Sequence, residues 1–168
     1  ETAERVASGD PYDALLAEYE PGATGAAIDA TFAELREGLV TLRAAITESD
    51  VVVPALSGAF PRDAQIALAQ ELAGVFGYDW EAGRLDFAVH PFSSGGRGDS
   101  RITTRVDEAN PFDCLYSTIH EVGHAVYSQP LHPDLAFRPV GEDAGMGIHE
   151  RQSRSFENQI GRSRAFAE

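Results

Sequence analysis

The segment 112–128 restricts the possible folds of this chain more than any other. Leu115, Ile119, Val122 and Val126 recur along it at spacings of three and four residues, which predicts one apolar face of an α-helix. Two prolines follow shortly afterwards and end the helical pattern. Because such a helix is stable only when other elements cover its apolar face, the chain is expected to fold around it.

The same segment contains the pattern His120-Glu121-Val122-Gly123-His124. Residues four apart in an α-helix lie on one face, so the two imidazoles can reach a single zinc ion at about 2.0–2.1 Å. Glu121 is angled away from that ion, where it can accept a proton from a zinc-bound water instead of ligating the metal. The alternative is a surface helix that carries these three residues by coincidence.

A catalytic zinc ion normally has three protein ligands and one position open to water, so a third ligand is required. One known extension of the pattern needs Gly at position 127 and His at position 130, but the chain has Tyr127 and Pro130 there. The third ligand must come from elsewhere, and helix packing alone leaves these downstream candidates open: His132, Asp134, Glu142, Asp143, His149, Glu150 and Glu157.

The remainder of the chain has mostly helical patterns. Apolar residues in 28–46 recur at spacings of three and four, which predicts a long helix that packs against other helices, with a partner-binding coiled coil as the alternative. Further helices are predicted over 62–76 and 145–166. The runs 85–89 and 102–106, joined by a Gly-rich loop, predict a β-hairpin. The expected fold class is mainly α with a small β element (α+β).

Composition excludes several kinds of protein. The chain has 27 acidic and 13 basic residues, a formal net charge of −14, which would repel nucleic-acid backbones and anionic membranes. No apolar run is long enough to span a membrane. Cys114 is the only cysteine, which excludes an intramolecular disulfide, and it is expected to be a buried apolar residue. Neither nucleic acid nor a membrane is expected as a partner, and the expected location is cytoplasmic.

Several ordered motifs resemble the carboxypeptidase Taq family of thermostable zinc metallocarboxypeptidases, which are mostly helical. The matching runs are His-Pro-Phe from residue 90, Asp-Ser-Arg-Ile-Thr-Thr-Arg over 99–105, Ile-His-Glu-Val-Gly-His-Ala over 119–125 and Gly-Ile-His-Glu-Arg-Gln-Ser-Arg over 147–154, continuing through Phe-Glu-Asn and Gly-Arg-Ser. Together they are far more specific than the zinc pattern alone. The N-terminal half of the chain contains no motif of the family.

The resemblance implies roles for individual residues, on a helix pair of the glutamate-zincin type. His120, His124 and Glu150 would be the zinc ligands and Glu121 the general base, and another divalent metal such as cobalt can replace zinc. Arg151 stands where the family usually has Ser, so a local rearrangement or an altered metal affinity can follow; the alternative is that its side chain points to solvent. The residues that would contact substrate or support the ligands are His90, Asp99, Arg101, His149 and Glu157.

The second motif allows more than one interpretation. Arg101 or Arg105 can bind a carboxylate through two hydrogen bonds, or can pair with acidic residues of the chain. Asp99 can orient a histidine. The strand 102–106 can be a sheet edge that binds an extended peptide, or an ordinary structural strand.

The resemblance also implies an activity and an organisation. The expected reaction is removal of C-terminal residues from peptides with a free C-terminus, by a protein that forms a homodimer at full length. Family members are much longer, so residues 1–168 are expected to be the middle section of a larger catalytic domain, with a helical segment over 1–80 and a zinc-site segment over 81–168. Such a section is expected to bind zinc but to hydrolyse peptides poorly. The alternatives are another glutamate-zincin peptidase, acting as an endopeptidase or aminopeptidase, and a non-catalytic helical module with a structural zinc ion.

Overall fold

The computed structural model describes residues 9–131, 133–135 and 138–168. The chain divides into two compact units, residues 1–55 and 56–168. Each unit has its own helices, and the candidate residues identified in the sequence belong to the second. The fold class predicted from the sequence, mainly α with a small β element, is confirmed. None of the described helices is both long enough and apolar enough to cross a membrane.

The first unit contains two helices in its described residues, α1 (Pro11–Leu16) and α2 (Gly25–Thr47). Asp10 and Thr24 precede them, and each side chain accepts a hydrogen bond from a backbone N–H of the first turn that follows. Asp13 Oδ1 also accepts a hydrogen bond of 2.7 Å from the first N–H of α2. Capping side chains therefore determine where both helices begin.

The long helix predicted over 28–46 is confirmed by α2. Its apolar stripe is exposed: Phe32, Leu39 and Ile46 have exposed fractions of 62%, 58% and 66%. Packing of this stripe against other helices or against a partner therefore stays a prediction.

The second unit has a helical framework. Its described helical segments are α3 (Arg62–Val75), α4 (Pro111–Ser128), α5 (Met146–Arg154), a π-helix (Ser155–Ile160) and α6 (Arg164–Ala167), with 3₁₀ turns at Trp80–Ala82, Pro133–Leu135 and Pro139–Gly141. The helices predicted over 62–76 and 112–128 are thus confirmed to within one residue at each end.

The single helix predicted over 145–166 is wrong. After α5 the chain continues as the π-helix, which ends where the N–H of Gly161 donates to the carbonyl of Phe156, five residues earlier, at 2.8 Å. The spacing of apolar residues does not distinguish this hydrogen-bond pattern from that of an α-helix. A π-turn contains more residues per turn, so the side chains after Ser155 face a different direction from that expected of an α-helix.

A three-stranded sheet lies beside the helices, with strands β1 (Leu85–Phe87), β2 (Ser93–Gly96) and β3 (Asp99–Thr104) in the order β1–β3–β2. β1 pairs with β3 in parallel, so the hairpin predicted between 85–89 and 102–106 is wrong. The hairpin is formed by β2 and β3, which pair antiparallel. Most of the run predicted as a Gly-rich loop is therefore itself a strand, because pairing with β3 compensates for its low β propensity.

β3 is the central strand of this sheet. Ile102 lies opposite Leu85 of β1 on one side and opposite Ser93 of β2 on the other. The prediction that this strand is an edge that binds an extended peptide is therefore wrong, because both of its sides are already paired. The alternative, a structural strand, is correct: Ile102 is fully buried.

The core lies where α4 packs on the sheet and on α3. A cluster of buried residues unites Val122 and Ala125 of α4, Ile102 of β3, Ala73 of α3 and Tyr78 of the following loop. The apolar face predicted for α4 is thus the buried one. Since α4 also carries the two histidines, burial of this face fixes the direction in which the histidines point.

Gly123 brings α5 directly onto α4. A Cβ atom at this position would lie 2.5 Å from Cα and 3.1 Å from N of Ser153, which is itself fully buried. The two helices therefore meet backbone to backbone, next to the two histidines.

Candidate metal centre

The candidate site begins on α4, where His120 and His124 lie one turn apart. Their side chains are 16% and 12% exposed, and their Nε2 atoms are 3.2 Å apart. The start of α4 is fixed by Asn110, whose side chain accepts a hydrogen bond from the backbone N–H of Phe112. Helix geometry alone thus brings two imidazole nitrogens to one point.

Glu150 reaches the same point from α5. Its Oε2 lies 3.2 Å from His124 Nε2, and its Oε1 lies 3.7 Å from His120 Nε2. Arg154, one turn further along α5, donates from Nε to Glu150 Oε1 at 2.8 Å and orients the carboxylate. The contact of Gly123 with Ser153 sets how far Glu150 stands from the histidines.

These three side chains fit one divalent metal ion. An ion bound tetrahedrally at about 2.1 Å keeps its ligand atoms about 3.4 Å apart. The three observed separations are 3.2, 3.2 and 3.7 Å, and all the candidate ligand atoms lie within 4.8 Å of one another. Two imidazoles and one carboxylate form a donor set that suits zinc and related transition metals.

Burial determines how His124 can act. Its Nδ1 atom is buried and has no hydrogen-bond partner within the described part of the chain. Its Nε2 atom faces the other two candidate ligands. Burial, followed by the positive charges of His149 and His120, lowers the pKa of His124 to about 4. The imidazole is thus kept neutral, which is the form that binds a metal.

Glu121 lies beside this group and is buried, with an exposed fraction of 6%. Burial raises its pKa to about 7, and the negative charges of Glu150 and Glu157 add to the effect. Its carboxylate has no hydrogen bond or ion pair to any other described residue. Glu121 is therefore free to exchange a proton with a molecule in the site.

Glu157 supports His120 from behind. Its Oε2 lies 2.9 Å from His120 Nδ1, while Arg154 and Arg162 donate to its two oxygens at 3.2 and 2.7 Å. Burial favours a higher pKa, but the hydrogen bonds from Arg162 and His120 outweigh it, and the pKa of Glu157 is lowered. Because an ionised carboxylate only accepts hydrogen bonds, His120 Nδ1 carries the hydrogen and Nε2 keeps its lone pair.

His149, also predicted as a supporting residue, contacts one of the candidate ligands, His124. The two ring centroids are 4.5 Å apart, and His149 Nε2 lies 3.3 Å from the backbone carbonyl of His124 and 3.4 Å from Ser128 Oγ. On its other side, His149 Nδ1 is 3.7 Å from Asp143 Oδ2. This contact connects α5 to the end of α4.

An open cleft of about 870 Å³ lies beside the site. Its lining includes His120, Glu121 and Glu157 together with His90 and Pro91 of the loop after β1. His90 is thus placed where it can meet a bound molecule. The remaining lining residues are Arg105, Asn110, Phe112, Asp113, Tyr116, Ser117, Arg154 and Arg162.

Asp99 and Arg101 do not line this cleft. They pair with each other through two hydrogen bonds of 2.8 Å, and both are exposed. None of the described contacts of Asp99 is to a histidine, so its predicted role in orienting one is not supported. Arg101 pairs with an acidic residue of the chain, which was the second of its two interpretations. Arg105, which does line the cleft, pairs with Asp113 at 2.9 Å.

The structure places the remaining candidate residues outside the metal-binding group or does not describe them. His132 lies outside the described residues. Among the described residues, Asp134 and Glu142 are not part of the group that can hold a metal. Cys114 is buried, as predicted. Sequence reasoning gave no role to Arg162, because only the π-helix turns it back toward Glu157.

The chain is similar to several known proteins. All of residues 1–168 match the family model described as Carboxypeptidase Taq (M32) metallopeptidase. The chain is 43% identical to Carboxypeptidase 1 of Bacillus subtilis and 44% identical to Thermostable carboxypeptidase 1 of Thermus thermophilus, with 93% and 96% of the chain covered. It is also similar to the crystal structure of the M32 carboxypeptidase of Deinococcus radiodurans R1, with a TM-score of 0.85, 42% identity and 94% of the chain covered.

The chain is much shorter than these proteins. It spans 32% of the Bacillus relative, 33% of the Thermus relative and 32% of the Deinococcus chain. The comparisons therefore concern about a third of each protein.

Proposed function

This chain belongs to the carboxypeptidase Taq (M32) family of metallopeptidases, and we propose that it carries the zinc-binding catalytic centre of a carboxypeptidase. The proposed reaction is hydrolysis of the last peptide bond of peptides with a free C-terminus. Because the chain spans about a third of its relatives, we assign it the metal centre and not the complete substrate site.

The observation that carries the proposal is the convergence of three ligand atoms from two helices. His120 Nε2 and His124 Nε2 are 3.2 Å apart, and the Glu150 carboxylate approaches them with one oxygen each, at 3.7 and 3.2 Å, which is close to the spacing of ligands around a single tetrahedral ion. Three protein ligands leave a fourth position, and the group borders an open cleft, which favours a catalytic over a structural zinc ion.

A zinc ion bound in this way acidifies water and polarises a carbonyl oxygen. Glu121 lines the cleft beside the ligands and has no partner among the described residues, so we assign it the role of general base. It would take a proton as water attacks the scissile carbonyl, and then donate that proton to the leaving amine. His120 and His124 would stay neutral throughout, because each offers its Nε2 lone pair to the metal.

The cleft explains why this chain alone is expected to be a poor enzyme. An exopeptidase needs a cation for the terminal carboxylate of its substrate. Each arginine that lines the described cleft is already paired with a carboxylate: Arg105 with Asp113, Arg154 with Glu150 and Glu157, and Arg162 with Glu157. The proposal therefore places this cation outside the lining of the described cleft.

Metal binding by the chain tests the ligand assignment. We expect one zinc ion per chain, measured by competition with a chromophoric chelator, and a loss of affinity of at least about 100-fold in His124→Ala and Glu150→Gln. The matched controls are His90→Ala and Asp143→Asn, which remove the same groups near the site but outside the ligand set. Unchanged zinc affinity in His124→Ala would contradict the assignment.

Peptide hydrolysis tests the activity. Blocked dipeptides with a free C-terminal carboxylate and their C-terminal amides should be compared, with the Thermus relative as positive control. We expect negligible turnover by the chain at a zinc occupancy shown to be complete. Robust turnover of the free-carboxylate substrate by the chain would contradict the assignment of the missing cation, and equal turnover of the amide would favour an endopeptidase.

A further inference from the structure

Glu157 has a second neighbour whose role is not part of the proposed function. One of its oxygens, Oε2, lies against His120 Nδ1, while the other, Oε1, accepts a hydrogen bond of 2.7 Å from Arg162 Nη2. The Glu157 side chain is 11% exposed, so a carboxylate in this place requires compensating donors. Arg162 supplies such a donor, and it bonds to Oε1 and not to Oε2, the oxygen that contacts His120.

Arg162 is itself held by α4. Its guanidinium carbon lies 3.9 Å from the centre of the Tyr116 ring, a cation–π contact. Tyr116 is one helical turn before His120 on α4. The contacts therefore form a closed loop that leaves α4 at Tyr116, passes through Arg162 and Glu157, and returns to α4 at His120.

The turn after the π-helix makes this loop possible. The N–H of Gly161 bonds to Phe156 O at 2.8 Å, and a Cβ atom at residue 161 would lie 3.0 Å from Glu157 O and 3.2 Å from Ile119 Cδ1. This tight packing directs the next residue, Arg162, back toward the side chain of Glu157.

We propose that Arg162 is a positioning residue for the metal centre: it fixes Glu157 so that this carboxylate orients the His120 ring with Nε2 toward the metal. This inference rests on the proposed function, because it concerns the same three ligands. It predicts that the guanidinium contributes to metal affinity only through Glu157.

Arg154 does not have an equivalent role. It reaches Glu157 at Oε2, the oxygen that His120 already uses, and it also pairs with Glu150. Its loss would therefore disturb two carboxylates at once. Arg164 is the better control, because it is an arginine of the same region that is 90% exposed and, among the described residues, pairs with Glu168 alone.

The test is zinc affinity in the chain with the variants Arg162→Met, Arg162→Lys and Arg164→Met. Removing a group that supports a metal ligand typically weakens binding 10- to 100-fold, so a residue that acts one step further away should cost about five-fold. We expect that loss in Arg162→Met, a partial recovery in Arg162→Lys, and less than about a two-fold change in Arg164→Met. Equal affinities in Arg162→Met and Arg164→Met would overturn the proposal.

A double-mutant cycle separates positioning from a general structural effect. If Arg162 acts through Glu157, then Arg162→Met should weaken zinc binding no further in a Glu157→Gln background. A further loss of about five-fold in that background would mean that Arg162 supports the fold in another way. Unfolding curves of the metal-free variants show whether each one folds.

The tautomer of His120 provides a readout that needs no metal. In ¹⁵N–¹H spectra of the imidazoles at pH 8, wild type should carry the His120 hydrogen on Nδ1, and Arg162→Met should shift population toward Nε2–H. An unchanged tautomer in Arg162→Met would overturn the proposal. If wild type fails to bind zinc but the tautomer shifts as expected, the proposed function fails while the positioning role of Arg162 stands.

Discussion

Replacing Gly123 by Ala tests whether the contact between the backbones of α4 and α5 determines the geometry of the metal centre. The added Cβ would lie 2.5 Å from Ser153 Cα, whereas ordinary van der Waals contact begins at 3.4 Å. The helices must therefore separate locally by up to about 0.9 Å, the difference between these two distances. Glu150 precedes Ser153 by one turn of α5 and must move with it.

Two effects on stability oppose each other in this variant. Alanine has a higher helix propensity than glycine by up to about 1 kcal/mol, whereas overpacking a tight contact costs about 1–3 kcal/mol. Because the atoms that clash are backbone atoms, no side-chain rotation relieves the contact, and we expect the upper part of that range. The net expectation is a loss of about 1–2 kcal/mol in the free energy of unfolding.

The substitution should also weaken zinc binding. Metal–ligand distances tolerate deviations of only about 0.2 Å, so a displacement of Glu150 by several times that amount should weaken zinc binding at least about ten-fold. Urea unfolding of the metal-free chain measures stability, and chelator competition measures the zinc Kd.

Gly38→Ala is the matched control. Gly38 lies within α2, and apart from its chain neighbours and the backbone of its own helix no atom of the described residues is within 4 Å of the Cβ that the substitution adds. It should raise stability by up to about 1 kcal/mol and leave the zinc Kd unchanged within about two-fold. The reasoning is refuted if Gly123→Ala is as stable as Gly38→Ala and binds zinc as tightly.

Three further predictions concern single side chains. Glu121→Gln should bind zinc within about three-fold of wild type, since this side chain is assigned as base and not as ligand; loss of zinc would reverse that assignment. Thr24→Ala should lower the stability of the first unit by about 1 kcal/mol, seen by hydrogen exchange of α2 amides, with no change in zinc affinity. Burial raises the pKa of Tyr78 from 10.0 to about 12, so its stabilising contribution is complete below pH 10 and declines between pH 10 and 12. The advantage of wild type over Tyr78→Phe, which lacks the hydroxyl bonded to Ser100 O, should therefore shrink by about 1.4 kcal/mol between pH 8 and 11 in urea unfolding, and a constant advantage would contradict that pKa shift.

Local patterns predicted the helices well because helix formation depends on residues three and four apart. The span of α4 agrees with the spacing of its apolar residues, and Val122 is fully buried as that spacing required. The pair of histidines followed from the same geometry. Interactions of this range are completely contained in a short stretch of sequence.

Pairing between distant segments was not predictable in the same way. β1 has a clear strand pattern, but nothing in it specifies a parallel partner, and β2 consists of Ser-Ser-Gly-Gly, which has low β propensity. Likewise the π-helix has no signature in apolar spacing. The chain leaves this π-helix with Arg162 and Glu157 facing each other, the contact on which the proposed positioning role depends.

Two positions of the candidate metal-binding pattern that a motif search leaves unspecified, 122 and 123, also affect the geometry of the site. His120, Glu121 and His124 specify angles around α4 but not how close a third ligand can come. That distance depends on the two residues between Glu121 and His124. Val122 is buried in the core, and Gly123 has no side chain to keep the backbone of α5 away. A longer side chain at position 123 would leave the three motif residues in place and still separate Glu150 from them. The distance between Glu150 and the two histidines therefore depends on the size of the residue before His124, and not only on spacing along the chain.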